Sequence, residues 1–168
     1  FPRPRSIREK PGSLALPASL TLHGEPVPAW LRTRLARAGR TAGIRLGPHG
    51  AASIRVQLDP PGFSSIRDPR IRAQSYRLTL AADGHATVTG SAPDGLRHGL
   101  ITLARLFEAA GSGAQLTPLV IRDQPAFAVR GFQIDMAREY FPSVPFLKGM
   151  IDRAADLQFN TLWLYLEN

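Results

Sequence analysis

The chain has 168 residues, enough for one domain of ordinary size or for a small domain joined to part of another. Its apolar fraction of 43% and charged fraction of 20% are typical of a folded globular protein. Cysteine is absent, which excludes disulfides and thiolate metal sites. No apolar run approaches the roughly 20 residues that cross a bilayer, so we expect no membrane partner.

The net charge of +8 comes almost entirely from arginine, because Lys10 and Lys148 are the only lysines. A basic chain invites a nucleic-acid hypothesis, but the arginines are scattered and the sequence contains no RNA- or DNA-recognition motif. We attribute the abundance of Arg, Ala, Gly and Pro to a GC-rich genome and expect no nucleic-acid partner. The first residue is Phe1 rather than Met, which leaves export open and the compartment undecided.

The chain opens with a Pro- and Arg-rich segment, residues 1–12, which we expect to form an extended surface arm. Residues 19–23 predict a strand, and residues 29–38 have helical spacing. The apolar side of this helix consists of Leu31, Leu35 and Ala38. Trp30 lies in the same amphipathic segment, and we expect it to be part of the core.

Three further strands are predicted at residues 52–58, 76–80 and 86–90, because each segment alternates apolar with polar residues. Asp83-Gly84 lies between the last two segments and is a strong hairpin signal. Residues 62–74 lack such alternation, and we expect them to form a loop or an irregular edge of the sheet.

A second helix is predicted after Asp94, which can cap it, with Gly99 and Ala104 allowing a close approach to the sheet. A strand at residues 119–121 follows, and Pro125 closes the segment. This order of elements predicts an α+β domain over residues 1–125, in which a mostly antiparallel sheet carries two helices on one face.

The pattern changes after Pro125. Residues 129–134 and 161–166 predict strands, and a helix is expected to begin at Pro145 between them. A crossover of this length joins parallel strands, so residues 126–168 predict a βαβ piece. The four histidines are far apart in sequence, and we expect neither a metal site nor a cofactor.

Four segments in this order resemble glycoside hydrolase family 20, the β-N-acetylhexosaminidases. They are residues 95–106 (GLRHGLITLARL), 121–125 (IRDQP), 130–138 (RGFQIDMAR) and Asn160 before an apolar strand. The resemblance implies that residues 1–125 are the family's non-catalytic N-terminal domain. It also implies that residues 126–168 are the first strand, first helix and second strand of the family's (β/α)8 barrel. The barrel is therefore expected to be incomplete in this chain.

The resemblance also points to candidate sugar ligands. In the family, an arginine of the Arg-Gly pair that opens the first barrel strand binds sugar hydroxyls, and Arg130 stands in that place; its fork of donors can hold two oxygens. The alternative for Arg130 is an ion pair at the domain junction. Barrel geometry instead favours Asp135 and Arg138, since barrel sites lie at the C-terminal ends of strands. For these two, an internal ion pair that steadies the following loop is the alternative.

The second barrel strand departs from the family pattern. Many members have a His-Trp-His run followed by paired aspartates, whereas this chain ends in WLYLEN. Asn168 falls where the first aspartate would lie and is a weaker candidate for substrate binding. Trp163 could stack on a sugar, and Tyr165 and Glu167 could face either a sugar site or solvent.

The resemblance implies a substrate-assisted, retaining mechanism in which the acetamido oxygen of the sugar is the nucleophile. An aspartate orients the acetamido group, and a neighbouring glutamate protonates the leaving oxygen. No Asp-Glu pair occurs in the 168 residues, so we assign no catalytic residue and predict that the chain by itself is inactive. The expected partner of the full-length protein is a glycan that contains N-acetylhexosamine.

Two alternatives remain open. The chain could belong to another glycosidase with the same appended domain, such as an α-glucuronidase, an O-GlcNAc hydrolase or an α-N-acetylglucosaminidase. It could also be a stand-alone binding or scaffold module, which would be monodisperse and would melt cooperatively.

Overall fold

The computed structural model describes residues 3–111, 113, 115–136 and 142–166. The chain divides into two compact units, a first unit of Pro4–Ala126 and a second unit formed mainly by Phe127–Asn168. The strands of the first unit are β1 (Ser6–Glu9), β2 (Ser19–Gly24), β3 (Arg45–Gly47), β4 (Ala52–Leu58), β5 (Tyr76–Leu80), β6 (Ala86–Gly90) and β7 (Leu119–Asp123). Its helices are α1 (Ala29–Thr41), α2 (Pro69–Ala73) and α3 (Pro93–Gly111), with a short 3-10 helix at Pro60–Phe63. The second unit contains β8 (Gly131–Asp135), α4 (Val144–Asp156) and β9 (Thr161–Tyr165).

The first unit is built on one seven-stranded sheet with the strand order β1-β7-β5-β6-β4-β2-β3. Three neighbouring pairs are antiparallel, namely β1-β7, β7-β5 and β5-β6. The other three pairs, β6-β4, β4-β2 and β2-β3, are parallel. The α+β prediction is confirmed, whereas the prediction of a mostly antiparallel sheet is wrong because the sheet is mixed.

The parallel half of the sheet follows from the connection between β2 and the next strands. α1 carries the chain back across the sheet, so β3 and β4 run in the same direction as β2. The Asp83-Gly84 hairpin makes β5 and β6 antiparallel, as predicted, with Gly84 at φ 83°. β6 lies between β5 and β4, which joins the two halves.

α1 and α3 bury their apolar sides in a single core with the sheet. Leu31, Leu35 and Ala38 of α1 are all buried, as the helical spacing predicted. Gly99 of α3 is also buried, and a Cβ atom built there would lie 2.6 Å from Val88 Cγ1, which confirms the close approach to the sheet. The helices thus cover one face of the sheet.

The N-terminal arm is extended and exposed at Ser6–Glu9, as expected, and this segment is β1, which pairs with β7. Two other local predictions were wrong. The expected loop or irregular edge at 62–74 contains α2 and part of the 3-10 helix. Trp30 is 48% exposed instead of being part of the core. It lies in the first turn of α1, next to the buried Leu31 but on a different side of the helix.

In the second unit, β8 and β9 form a two-stranded parallel sheet, as the βαβ pattern predicted. The Ser143 hydroxyl caps α4 by accepting a hydrogen bond from the Phe146 amide, and Pro145 lies in the first turn. None of the α4 residues is buried. Among the described residues, no helix is long and apolar enough to span a membrane.

Candidate functional site

The candidate site is the edge of the second unit where β8 and β9 end. Parallel strands place their carboxyl ends at the same edge of a sheet, and ligand sites of α/β proteins lie there. In register, Asp135 is the last residue of β8 and pairs with Tyr165, the last residue of β9. The Met136 amide donates to the Tyr165 carbonyl over 2.9 Å and extends this pairing by one residue.

The two faces of this small sheet differ in chemistry. Gln133 lies opposite Trp163 and Asp135 opposite Tyr165, and residues in register share a face. All four side chains are exposed. On the other face Ile134 is buried, and the Phe132 ring lies 6.2 Å from the Phe159 ring, measured between centroids. The exposed face combines an amide, a carboxylate and two aromatic rings, groups that can hydrogen-bond to sugar hydroxyls and stack on sugar rings.

The structure places Arg130 at the opposite end of β8, just before its first residue. Its guanidinium donates to main-chain carbonyls: Nη1 to Phe127 over 2.7 Å, and Nε and Nη2 to Gln158 over 3.1 and 2.6 Å. These bonds join the start of β8 to the segment that follows α4. Gln158 has a positive φ of 61°, an uncommon conformation that the two bonds to its carbonyl help to hold.

Asn160 completes the junction at the start of the two strands. Its Oδ1 accepts a hydrogen bond from the Arg130 amide over 2.9 Å, and its Nδ2 donates to the Ala128 carbonyl over 2.8 Å. Gly131 fits tightly beside it, because a Cβ atom there would lie 2.3 Å from the Thr161 carbonyl oxygen. The Arg-Gly pair and Asn160, which carried part of the family resemblance, therefore form one structural motif.

The predicted site residues are thus separated along the strand. Asp135 is exposed at the carboxyl edge, whereas the Arg130 guanidinium lies near the amino end of β8. Arg138, Glu167 and Asn168 lie outside the described residues. Sugar binding by Arg130 stays a prediction.

Sequence reasoning overlooked Gln133 as a candidate site residue. The signal was present in the alternation along β8, since Gln133 is two residues before Asp135 and shares its face. Among the described residues there is no cluster of three or more His, Cys, Asp or Glu that could hold a metal ion.

Part of the chain matches a family model, and longer stretches match curated proteins. Residues 1–124 match the family model described as "Glycosyl hydrolase family 20, domain 2". A β-N-acetylhexosaminidase of Cellulomonas fimi is 30% identical over 132 residues, which is 76% of this chain and 24% of that protein. A β-hexosaminidase of Vibrio furnissii is 26% identical over 171 residues, covering 99% of this chain and 26% of that protein.

Solved structures extend the likeness to both units. The family 20 β-N-acetylhexosaminidase of Streptomyces coelicolor A3(2) has a TM-score of 0.69 and 26% identity, and the match covers 98% of this chain and 34% of that one. This chain spans about a quarter of the length of the two curated relatives. Since the family model matches residues 1–124 of 168, the chain belongs to glycosyl hydrolase family 20.

Proposed function

We propose that the chain is the N-terminal part of a glycosidase that removes terminal N-acetylhexosamine residues from glycans. The observation that carries this proposal is the match of nearly the whole chain to relatives named β-hexosaminidase and β-N-acetylhexosaminidase. The first unit is the family's non-catalytic domain, residues 1–125, and residues 126–168 open a (β/α)8 barrel. The parallel β8-α4-β9 unit supports the barrel part of the proposal, since it is the repeating element of that fold.

The proposed chemistry is substrate-assisted hydrolysis with retention of configuration, in which the acetamido oxygen of the sugar attacks the anomeric carbon. The residues of this chain contribute to binding, not to proton transfer. At the carboxyl edge, Asp135 can accept hydrogen bonds from sugar hydroxyls, while Trp163 and Tyr165 offer aromatic faces. Arg138 and Asn168 follow β8 and β9 in sequence and belong to the same proposed subsite.

Arg130 is the other proposed sugar ligand. Its guanidinium donors are directed to the Phe127 and Gln158 carbonyls, so they would have to exchange these partners for sugar oxygens. These contacts favour a positioning role, in which Arg130 aligns β8 with β9 and thereby places Asp135 beside Tyr165.

The activity test uses a chromogenic N-acetylglucosaminide. We expect the full-length protein to release the chromophore, and we expect the 168-residue chain to release none because it contains no Asp-Glu pair. An N-acetylgalactosaminide and a glucuronide serve as comparison substrates. Hydrolysis of the glucuronide alone would replace the proposal with an α-glucuronidase, and turnover by the 168-residue chain would refute the predicted inactivity.

A further inference from the structure

Two arginines face each other across the first unit's sheet. Arg77 of β5 lies directly opposite Arg122 of β7, and Ser6 of β1 lies opposite Arg122 on its other side. The side chains of Arg77 and Arg122 point away from the helices, because the neighbouring residues Tyr76 and Ile121 are buried in the core that the helices share. Like charges placed directly opposite on a sheet repel each other, so an acidic partner is expected nearby.

No such partner is described for either guanidinium. Among the described residues, Arg77 and Arg122 take part in no ion pair, in contrast to Arg34, Arg70 and Arg97. The Arg77 Nε atom is also buried without a hydrogen-bond partner. A buried guanidinium N–H that lacks an acceptor is unfavourable, because it has lost its hydration without gaining a protein partner.

Both arginines line a cavity of about 210 Å³ at the rim of the sheet. Arg5 and Ser65 also line it, so three arginines border one small space. A single carboxylate, that of Asp123, is present in the described lining.

Asp123 does not neutralise the arginine pair. Its Oδ1 accepts hydrogen bonds from the amides of Arg5 and Gln124 over 3.1 and 2.9 Å, and its Oδ2 accepts from the Tyr76 hydroxyl over 3.3 Å. The carboxylate therefore turns toward the main chain and the core, and the cavity keeps an excess of positive charge.

We propose that this cavity binds an oxyanion group, such as a sulfate, phosphate or carboxylate, with Arg77 and Arg122 as its principal ligands. The arginine fork suits this task, because it donates two parallel hydrogen bonds to two oxygens of one anion. An oxyanion between the two guanidiniums removes the repulsion across the strands. The anion can be free in solution or carried by an acidic sugar of a glycan.

The site belongs to the first unit and requires no hydrolase activity, so it can be tested independently of the proposed function. The 168-residue chain is titrated with inorganic sulfate at constant ionic strength, and the Arg Nε–Hε resonances are followed by NMR. We expect the Arg77 resonance to shift and to saturate. The Arg122→Gln variant should lose about tenfold in affinity, the effect of removing one charge-assisted contact.

Arg55→Gln is the matched control. Arg55 is an exposed arginine of the same sheet, opposite His23 and Thr87, and does not line the cavity. We expect this variant to bind sulfate as the unmodified chain does. Arg77→Lys is a second test, because it keeps the charge but loses the fork, and it should also weaken binding. Each variant is compared by its melting temperature to show that it is folded.

N-acetylglucosamine 6-sulfate and unmodified N-acetylglucosamine distinguish the two sources of the anion. Tighter binding of the sugar sulfate than of inorganic sulfate supports the site and indicates a glycan-borne anion, whereas equal binding supports the site as one for a free oxyanion. The proposal is overturned if Arg122→Gln and Arg55→Gln weaken binding equally, or if the response to sulfate grows without saturating, as in general charge screening. An equal Arg77 shift with the neutral sugar also overturns it.

Discussion

Gly99 shows how a single residue sets the distance between α3 and the sheet. A Cβ atom at this position would lie 2.6 Å from Val88 Cγ1 and 3.1 Å from Tyr76 Cδ2. Both neighbours are fully buried, so neither side chain can move without disturbing the core. The helix can lie this close to β5 and β6 only because the residue is glycine.

We therefore predict that Gly99→Ala destabilises the first unit by about 1–3 kcal/mol, the usual cost of overpacking a core. Gly149→Ala is the control, because a Cβ atom there meets nothing within 4 Å and alanine favours a helix over glycine by up to about 1 kcal/mol. Urea denaturation of the 168-residue chain measures both changes. Equal effects of the two substitutions would contradict the packing argument.

Arg130 gives a second prediction at the scale of the residue. Three of its guanidinium nitrogens donate to main-chain carbonyls, so Arg130→Met should destabilise the second unit by about 1–3 kcal/mol. In the full-length enzyme we expect a lower melting temperature, measured by calorimetry, together with a loss of activity. Asp135→Asn should instead raise KM, because its exposed carboxylate is the group proposed to accept hydrogen bonds from sugar hydroxyls.

Direct contact between Arg130 and the sugar would be supported if the Arg130→Met enzyme had an unchanged melting temperature and a raised KM. Measuring stability and kinetics on the same preparations therefore separates the positioning role from the binding role.

Asp123 links the stability of the first unit to pH. Burial raises the pKa of its carboxyl group, although hydrogen bonds from the Arg5 and Gln124 amides and the Tyr76 hydroxyl act in the opposite direction. The folded state therefore holds this proton more tightly than the unfolded state, whose pKa is about 3.9. Asp123 therefore contributes less to the free energy of unfolding as the pH rises from the unfolded pKa through the raised folded pKa.

In Asp123→Asn, that pH dependence should disappear. The amide oxygen can still accept from the two amides, and the amide nitrogen can donate to the Tyr76 hydroxyl, so the variant is expected to fold. We expect the difference in unfolding free energy, unmodified minus variant, to decrease as the pH is raised from 3.5 to 8 (about the range in which a carboxyl titrates). Asp83→Asn in the hairpin turn is the control, and a flat difference for Asp123→Asn would refute the linkage.

At the scale of the element, the ion pair of Arg34 and Glu108 joins α1 to α3 across the surface of the core. Arg34 and Glu108 meet through both guanidinium Nη atoms and both carboxylate oxygens, with Nη2 and Oε2 separated by 3.0 Å. The Arg34 side chain is only 10% exposed, whereas that of Glu108 is 37% exposed. A bidentate ion pair in which one side chain is largely buried has a larger coupling energy than an ordinary surface ion pair.

We predict a coupling energy of about 1 kcal/mol between these two residues, measured by a double-mutant cycle with Arg34→Met and Glu108→Gln. The pair Arg70 and Asp68 provides the comparison, because the Arg70 side chain is 73% exposed and the two lie within one short segment. Its coupling should be smaller. A coupling at Arg34–Glu108 that is no larger than this one would show that the pair adds nothing to helix packing.

The elements differ in how well sequence predicted them. β4, β5 and β6 were predicted at their observed bounds, because each alternates apolar and polar residues over its length. β3 has only three residues and β1 has four exposed ones, so neither carries a pattern of its own. These two strands are strands because β2 and β7 supply hydrogen-bonding partners.

The candidate site was predictable from the sequence in part. The position of Asp135 follows from the rule that barrel sites lie at strand ends, and the parallel pairing of β8 and β9 follows from the length of the crossover. The contacts of Arg130 could not be predicted, because they depend on the positive φ of Gln158 and the route of the chain after α4. Sequence spacing does not show that the Gln158 carbonyl lies within hydrogen-bonding distance of Arg130.

At the scale of the whole molecule, the two units differ in how completely they bury their apolar residues. Of the buried apolar residues that the structure describes, all but Ile134 belong to the first unit. The exposed large apolar residues are concentrated in the second unit: Phe127, Val129, Val144, Phe146, Ile151, Leu157, Trp163, Leu164, Tyr165 and Leu166. The first unit has a core of its own, whereas the second presents α4 and a two-stranded sheet with little covering.

This difference predicts how the units behave when they are separated. Residues 4–126 produced alone should be monomeric and should unfold in one cooperative transition, because they retain the whole core of the first unit. The 168-residue chain should associate as its concentration rises, because exposed apolar surface and open strand edges favour contacts between copies. Sedimentation velocity over a range of concentrations measures both.

A variant of the second unit makes the cause specific. Leu164→Gln removes an apolar side chain that is 47% exposed on β9 and should reduce association, whereas Ile7→Gln, at a position 41% exposed on β1, should not. A chain that stays monomeric at every concentration, with its second unit resistant to protease, would instead favour the stand-alone binding or scaffold module. If residues 4–126 still associate, the surface through which copies bind lies in the first unit. That result would contradict the prediction that the exposed apolar residues of the second unit cause association.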